Sequence, residues 1–231
     1  SEERVKQVDF VNYMKASEAS LVAAGNPRNI MALGHICGVT AALVVGTVEN
    51  AIFDKQGNLW VLNRGPVPVT AFDPSGKMIK ALGEGLFGNR PHALRLDPDG
   101  NIWVADGSTH IVVKMDQNGK VLLTLGTKGK AGAWDEAAGT RLLNQPNEVA
   151  FGKNGDIFLA QGHTPGAQGD PRILKFDKNG NFIKSWGGKG TAPGKFEVAH
   201  AIVMSPQGDL WVADRENSRI EIFDEDGNYK R

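Results

Sequence analysis

The sequence predicts an all-β chain, a β-propeller of four recognisable blades preceded by an N-terminal helical extension. Three observations carry that prediction. One phrase recurs four times: DKQGNLWVL at 54–62, DPDGNIWVAD at 97–106, GKNGDIFLAQ at 152–161 and SPQGDLWVAD at 205–214. A second phrase follows each: FDPSGKMIK at 72–80, MDQNGKVLL at 115–123, FDKNGNFIK at 176–184 and FDEDGNYK at 223–230. Between them apolar residues follow strand periodicity, and glycine-containing turns break them into hairpins. Four short antiparallel strands in each repeat of roughly 40–50 residues describe a propeller blade.

The elements follow in order. Residues 2–24 place Val5, Val8, Val11 and Met14 at near-helical spacing, and Gly25 and Pro27 close the segment as a helix end would. Residues 31–46, MALGHICGVTAALVVG, form a long apolar run that falls short of the roughly 20 residues a membrane helix needs. It reads as one or two buried strands, with a processing segment as the alternative. Residues 1–47 therefore stand apart, and the blades occupy about 48–87, 88–126, 145–187 and 197–231. Insertions lengthen the third repeat at Thr127–Gln145 and at His163–Pro171. An open arc of four blades leaves exposed sheet faces and edges, so either the ring closes with four blades, or the N-terminal 48 residues add a partial blade, or, the favoured expectation, the chain is part of a larger, six-bladed ring.

Composition narrows the function. With 26 basic and 26 acidic side chains the formal net charge is zero, and no Lys/Arg stripe offers a nucleic-acid surface. No membrane span is expected. The single cysteine, Cys37, forms no internal disulfide and reads as a small buried hydrophobe. Trp60, Trp103 and Trp211 occupy equivalent second-strand positions, with Phe158 in the remaining blade, as inter-blade core residues do. Trp134 falls in an insertion, where it either touches a ligand or packs on an exposed loop.

The chemistry is expected where each innermost strand begins. The second repeat has Pro91-His92, the fourth Ala199-His200, and the third Pro146-Asn147 at the same place. Alternate blades of a six-bladed ring lie roughly 120° apart about the axis, so His92 and His200 can aim at one axial point. A third histidine on the next alternate blade, beyond this sequence, would complete a three-His zinc site with an open position. His35 is a remote substitute for it. His110 reads as structural.

The phrases NRPHALRLDPDGNIWVADGSTHIVVK, QPNEVAF, GKFEVAHAI and WVADRENSRIEIF resemble the peptidyl-α-hydroxyglycine α-amidating lyase family, a branch of the NHL-type six-bladed propellers. The likeness covers about residues 50–231. It implies a zinc-dependent lyase that cleaves the C–N bond of a peptidyl hydroxyglycine to an amide and glyoxylate. It also implies an extracytoplasmic or secreted setting. On this resemblance His92 and His200 fall on zinc ligands, Arg64 and Arg215 on active-site arginines, and the Leu94 backbone carbonyl on a structural calcium contact. Where the family writes Asp-Gly-Tyr, with the tyrosine as proposed base, this chain has Gln161-Gly162-His163. Either His163 serves as the base, or the base is lost. Two alternatives stand beside the lyase. One is a non-catalytic NHL-type propeller that binds a protein or peptide partner. The other is a calcium-dependent lactonase-like propeller, in which Asn147 would ligate the metal.

Overall fold

The computed structural model describes residues 9–11, 20–22, 48–164 and 169–231, and these fall into two compact units, residues 1–84 and 85–231. His35, Cys37 and the apolar run 31–46 lie outside the described residues. Among the described residues there is no helix. The helical extension expected over 2–24 is corrected at residues 9–11 and 20–22, where β1 (Asp9–Val11) and β2 (Ser20–Val22) pair antiparallel; the rest of that segment lies outside the described residues. Valines gave that segment its helical spacing, but β-branched side chains are stiff at χ1 and favour extended backbone.

In the first unit β3 (Val48–Phe53), β4 (Leu59–Asn63), β5 (Val69–Phe72) and β6 (Met78–Leu82) form one antiparallel meander. The second unit holds three more blades. The second blade is β7 (Pro91–Leu96), β8 (Ile102–Asp106), β9 (Ile111–Met115) and β10 (Val121–Gly126). A small hairpin, β11 (Trp134–Asp135) with β12 (Thr140–Arg141), decorates the first insertion. The third blade is β13 (Pro146–Phe151), β14 (Ile157–Gln161), β15 (Arg172–Phe176) and β16 (Phe182–Gly187). The fourth is β17 (Ala199–Met204), β18 (Leu210–Asp214) and β19 (Arg219–Phe223).

The recurrent phrase dictates each hairpin. Asp97 Oδ1 accepts the amide hydrogens of Asp99 and Asn101 at 3.1 and 2.9 Å, while Gly100 turns the chain at φ 83°. Positive φ there is why glycine stands at that position in every repeat. The other carboxylate oxygen of Asp97 accepts Trp103 Nε1–H at 3.1 Å, and Asp54 does the same for Trp60 at 3.0 Å. In the fourth blade Ser205 replaces that aspartate, and the buried Trp211 Nε1 has no hydrogen-bond partner.

Two apolar layers join the blades of the second unit. Trp103, Val112, Trp134, Leu159 and Phe176 belong to the layer between the second and third blades. Phe158, Phe196, Ile202, Leu210 and Phe223 belong to the layer between the third and fourth. Full burial of one such aromatic is worth about 1.5–3 kcal/mol, so these layers fix the spacing of the strands that carry the site.

Candidate metal centre

Each first strand carries a β-bulge at its second residue. The pairing jumps from Pro91↔Asp106 to Ala93↔Ala105, from Pro146↔Gln161 to Glu148↔Ala160, and from Ala199↔Asp214 to Ala201↔Ala213. The first blade repeats the jump between Val48 and Asn50. His92, Asn147, His200 and Glu49 are thus the extra residues, released from the pleat at one repeated position. A bulge bends the strand and re-aims the side chain it frees.

In the second unit three imidazoles meet. The ring centroids of His92 and His200 lie 4.9 Å apart, those of His92 and His163 4.9 Å, and those of His163 and His200 5.2 Å. One ring nitrogen of each lies within 4.8 Å of those of the other two. A tetrahedral zinc with Zn–N near 2.0–2.1 Å holds its nitrogens about 3.3 Å apart, so an inward movement of about 1 Å per ring closes the cluster on an ion. His92 Nδ1 lies 2.9 Å from the Asn147 carbonyl oxygen and therefore donates to it, which puts the acceptor lone pair on Nε2. Asn147 Nδ2 in turn donates to the Ala199 carbonyl at 2.8 Å. One asparagine thereby spans from the strand of His92 to the strand of His200.

His163 follows the end of β14 and is held by its backbone. Gly162 donates to the carbonyls of Asn144 and Gln145 at 2.9 and 3.1 Å and has φ 90°. The buried Gln161 donates from Nε2 to Asp170 Oδ2 at 2.7 Å and accepts from the Asn144 amide at 3.2 Å. Asp170 also accepts the Trp134 amide at 3.1 Å and Arg172 Nε at 2.7 Å. The two insertions of the third repeat are thus tied together beneath the histidine.

The electrostatics disfavour the protonated form of two of the three rings. Burial first, then the neighbouring His92, His200, Arg215 and Arg90, push the His163 imidazole down to about 3. Burial and Arg215 lower His200 as well, against the opposing charge of Glu216. Neutral imidazoles are the form that ligates a metal. A group that holds no proton until about pH 3 is also a poor proton acceptor at pH 7.

The expected site residues separate as follows. His92 and His200 are brought together. His163, read from the sequence as a base, stands as the third imidazole of the cluster. Arg215 reaches the cluster: its Nη2 lies 3.4 Å from the His163 carbonyl, and its Nε pairs with Glu216 at 2.7 Å. Arg64 lies in the first unit, where Glu49 engages it through both oxygens at 2.8 and 2.9 Å. The Leu94 carbonyl does not fit a calcium site. Arg95 Nη1 donates to it at 2.8 Å, and the same guanidinium pairs with Glu148, so a second cation would meet a fixed positive charge. Glu148 itself is buried; burial outweighs Arg95 and lifts its carboxyl to about 7. His110, at φ 60°, accepts the Gln145 amide through Nδ1 at 3.1 Å. Trp134 is corrected from a loop aromatic to a core residue. It is 5% exposed and packs against Phe182 and Phe176, with centroids at 4.9 and 5.7 Å.

The role of His163 had one legible signal. Pro146 pairs with Gln161, so the end of β14 lies beside the start of β13, at the same end of the blade as the bulged residues.

The NHL repeat family matches residues 89–115 and 196–223. The chain is 34% identical over 220 residues to peptidyl-glycine alpha-amidating monooxygenase A of Xenopus laevis, covering 81% of this chain and 22% of that protein. It is 30% identical over 213 residues to peptidyl-alpha-hydroxyglycine alpha-amidating lyase 1 of Drosophila melanogaster, covering 78% of this chain and 38% of the relative. The chain therefore spans about a fifth of the length of the Xenopus protein and well under half of the Drosophila one. Among solved structures, a streptogramin B lyase superposes with a TM-score of 0.62 at 17% identity, covering 82% of this chain and 55% of the other. That likeness speaks to fold alone.

Proposed function

We propose that this chain, which belongs to the NHL-repeat propellers related to the amidating monooxygenases and lyases, is a zinc-dependent carbon–nitrogen lyase acting on a peptidyl-α-hydroxyglycine. The observation that carries the reading is the convergence of His92, His163 and His200, with donor atoms within 4.8 Å of one another. An interaction module has no need of three imidazoles facing one point. Those three residues would hold the ion. When bound, zinc would supply Lewis acidity toward a substrate hydroxyl.

The remaining chemistry falls to the chain. The substrate is a carbinolamide: its hydroxyl loses a proton, the C–N bond breaks, and the leaving amide nitrogen gains a proton. The products are a peptide amide and glyoxylate. Arg215, at the edge of the cluster, neutralises negative charge that develops on the substrate oxygen. His163 holds the ion and does not take the proton; water in the mouth of the site exchanges it. The three rings are half-buried, and partial removal from water strengthens these charge interactions.

The test begins with metal content. The purified chain is stripped with chelator, dialysed against zinc, and compared with His92→Ala and His163→Ala. One equivalent of zinc in the parent, lost in both variants, is expected. Glyoxylate release from a synthetic hydroxyglycine peptide then reads the reaction. A parent that takes up no zinc defeats the assignment; one that holds zinc and releases no glyoxylate leaves a metal-binding propeller without the proposed activity.

A further inference from the structure

We propose that Arg90, which neither the sequence motifs nor the family resemblance assigns, is the residue that recognises a carboxylate on the ligand of the three-histidine site. The proposal deepens the reading above by naming the anionic group that this mouth selects.

Arg90 immediately precedes the strand that carries His92. Its backbone is fixed from both sides: its amide donates to Ser108 Oγ at 3.2 Å and its carbonyl accepts from Gly107 at 3.1 Å. The guanidinium runs along Gly107, where an added Cβ would stand 3.5 Å from Nη2 and 3.7 Å from Nε. Nη2 donates to Gln145 Oε1 at 3.1 Å, and the same oxygen receives Thr164 Oγ1–H at 2.5 Å. Thr164 adjoins His163. The guanidinium is therefore anchored to the segment that presents the third imidazole, and its charge is felt at that ring.

What is missing is an anion. Arg95, Arg172, Arg215 and Arg219 each pair with a carboxylate. Among the described residues no carboxylate pairs with Arg90, although the side chain is half-buried and has several N–H groups left to donate. A partly desolvated guanidinium held in one orientation, with its donors unmet, is a receptor for a planar oxyanion. Arg215 also donates to this segment, at the His163 carbonyl, but it already pairs with Glu216. A substrate ending in a carboxylate supplies the anion that Arg90 lacks. A neutral amide or ester of the same shape does not.

The experiment titrates the full chain, with and without prior chelation, with N-acetylglycine and with N-acetylglycinamide, followed by calorimetry and by NMR. The acid is expected to bind at least about tenfold more tightly than the amide. Arg90→Gln, which keeps a donor toward Gln145, should abolish that preference while zinc content stays at the parent level. Arg90→Lys should keep part of it, as a point charge without the fork. If the acid preference survives in Arg90→Gln, or is absent from the parent, the assignment is overturned. Failure of the lyase reading is separate: it shows as no glyoxylate release while the acid preference stands.

Discussion

Replacing Gly162 by alanine tests whether backbone geometry, and not the histidine alone, builds the cluster. Gly162 sits at φ 90°, where an L side chain is strained. An added Cβ would stand 2.6 Å from Pro171 N and Cα and 2.8 Å from the Asp170 carbonyl carbon. These are backbone atoms, so no side chain can swing away. Restoring ordinary contact at about 3.4 Å needs a shift near 0.8 Å, and His163 is the next residue. The left-handed conformation costs about 1–2 kcal/mol, and each kcal/mol lowers the melting temperature of a chain this size by roughly 2–4 °C. Gly162→Ala should therefore melt about 2–8 °C lower. Displacing one ligand by that distance should also weaken zinc at least tenfold, within the range seen when a ligand's supporting contacts are lost. Competition against a chromophoric chelator measures the affinity, and calorimetry the melting. A variant that melts low yet binds zinc as the parent does would show that His163 reaches the ion irrespective of its backbone, and the argument from Gly162 would be refuted.

Other outcomes follow from the same geometry. His163→Gln should lose most zinc affinity while melting within a few degrees of the metal-free parent; retained affinity would remove His163 from the ligand set. In the metal-free chain His163 is held at about 3 against 6.5 when unfolded, so the folded state binds fewer protons between those values. Stability should fall as pH drops from 6.5 toward 3, and His163→Gln should flatten that slope in thermal melts; identical slopes would contradict it. Asn147→Ala removes the bond to the Ala199 carbonyl and should cost about 1 kcal/mol in urea unfolding, with a smaller loss of zinc than His163→Gln. Trp103→Ala, at a site 1% exposed, should cost about 3–5 kcal/mol by the same measurement; a loss under 1 kcal/mol would mean that the layer between the second and third blades repacks freely.

The blades were legible because each repeat writes its own turn chemistry. An aspartate that caps a hairpin and a tryptophan that returns to it leave little freedom in the register. The meeting of His92 and His200 was legible for the same reason, since equivalent positions inherit equivalent geometry. His163 was harder to place: it lies outside the repeat, and its position depends on Gln161, Gly162 and Asp170 closing an insertion of irregular backbone. Chemical type alone pointed to a proton acceptor, and only burial among two other imidazoles and two arginines shows how little affinity it has for a proton. Trp134 was misread for a related reason, because an insertion that folds back can bury what it carries. The arginine beside Leu94 could not be foreseen either, as its hold on that carbonyl follows from the side-chain conformation and not from the pattern. Val11 satisfied helical spacing, yet β-branching suits the paired strand in which it stands.

The repeated one-residue kink at the head of each blade has an implication for change over time. It hangs one side chain outside the pleated ladder, so the identity of that residue is unconstrained by pairing and by the apolar layers on either side. Glutamate, histidine, asparagine and histidine occupy the four sockets. A point substitution at a socket changes the group presented there while the ladder keeps its pairing, at the cost of one side-chain bond where the socket holds Asn147, which makes each blade an exchangeable cartridge for new chemistry.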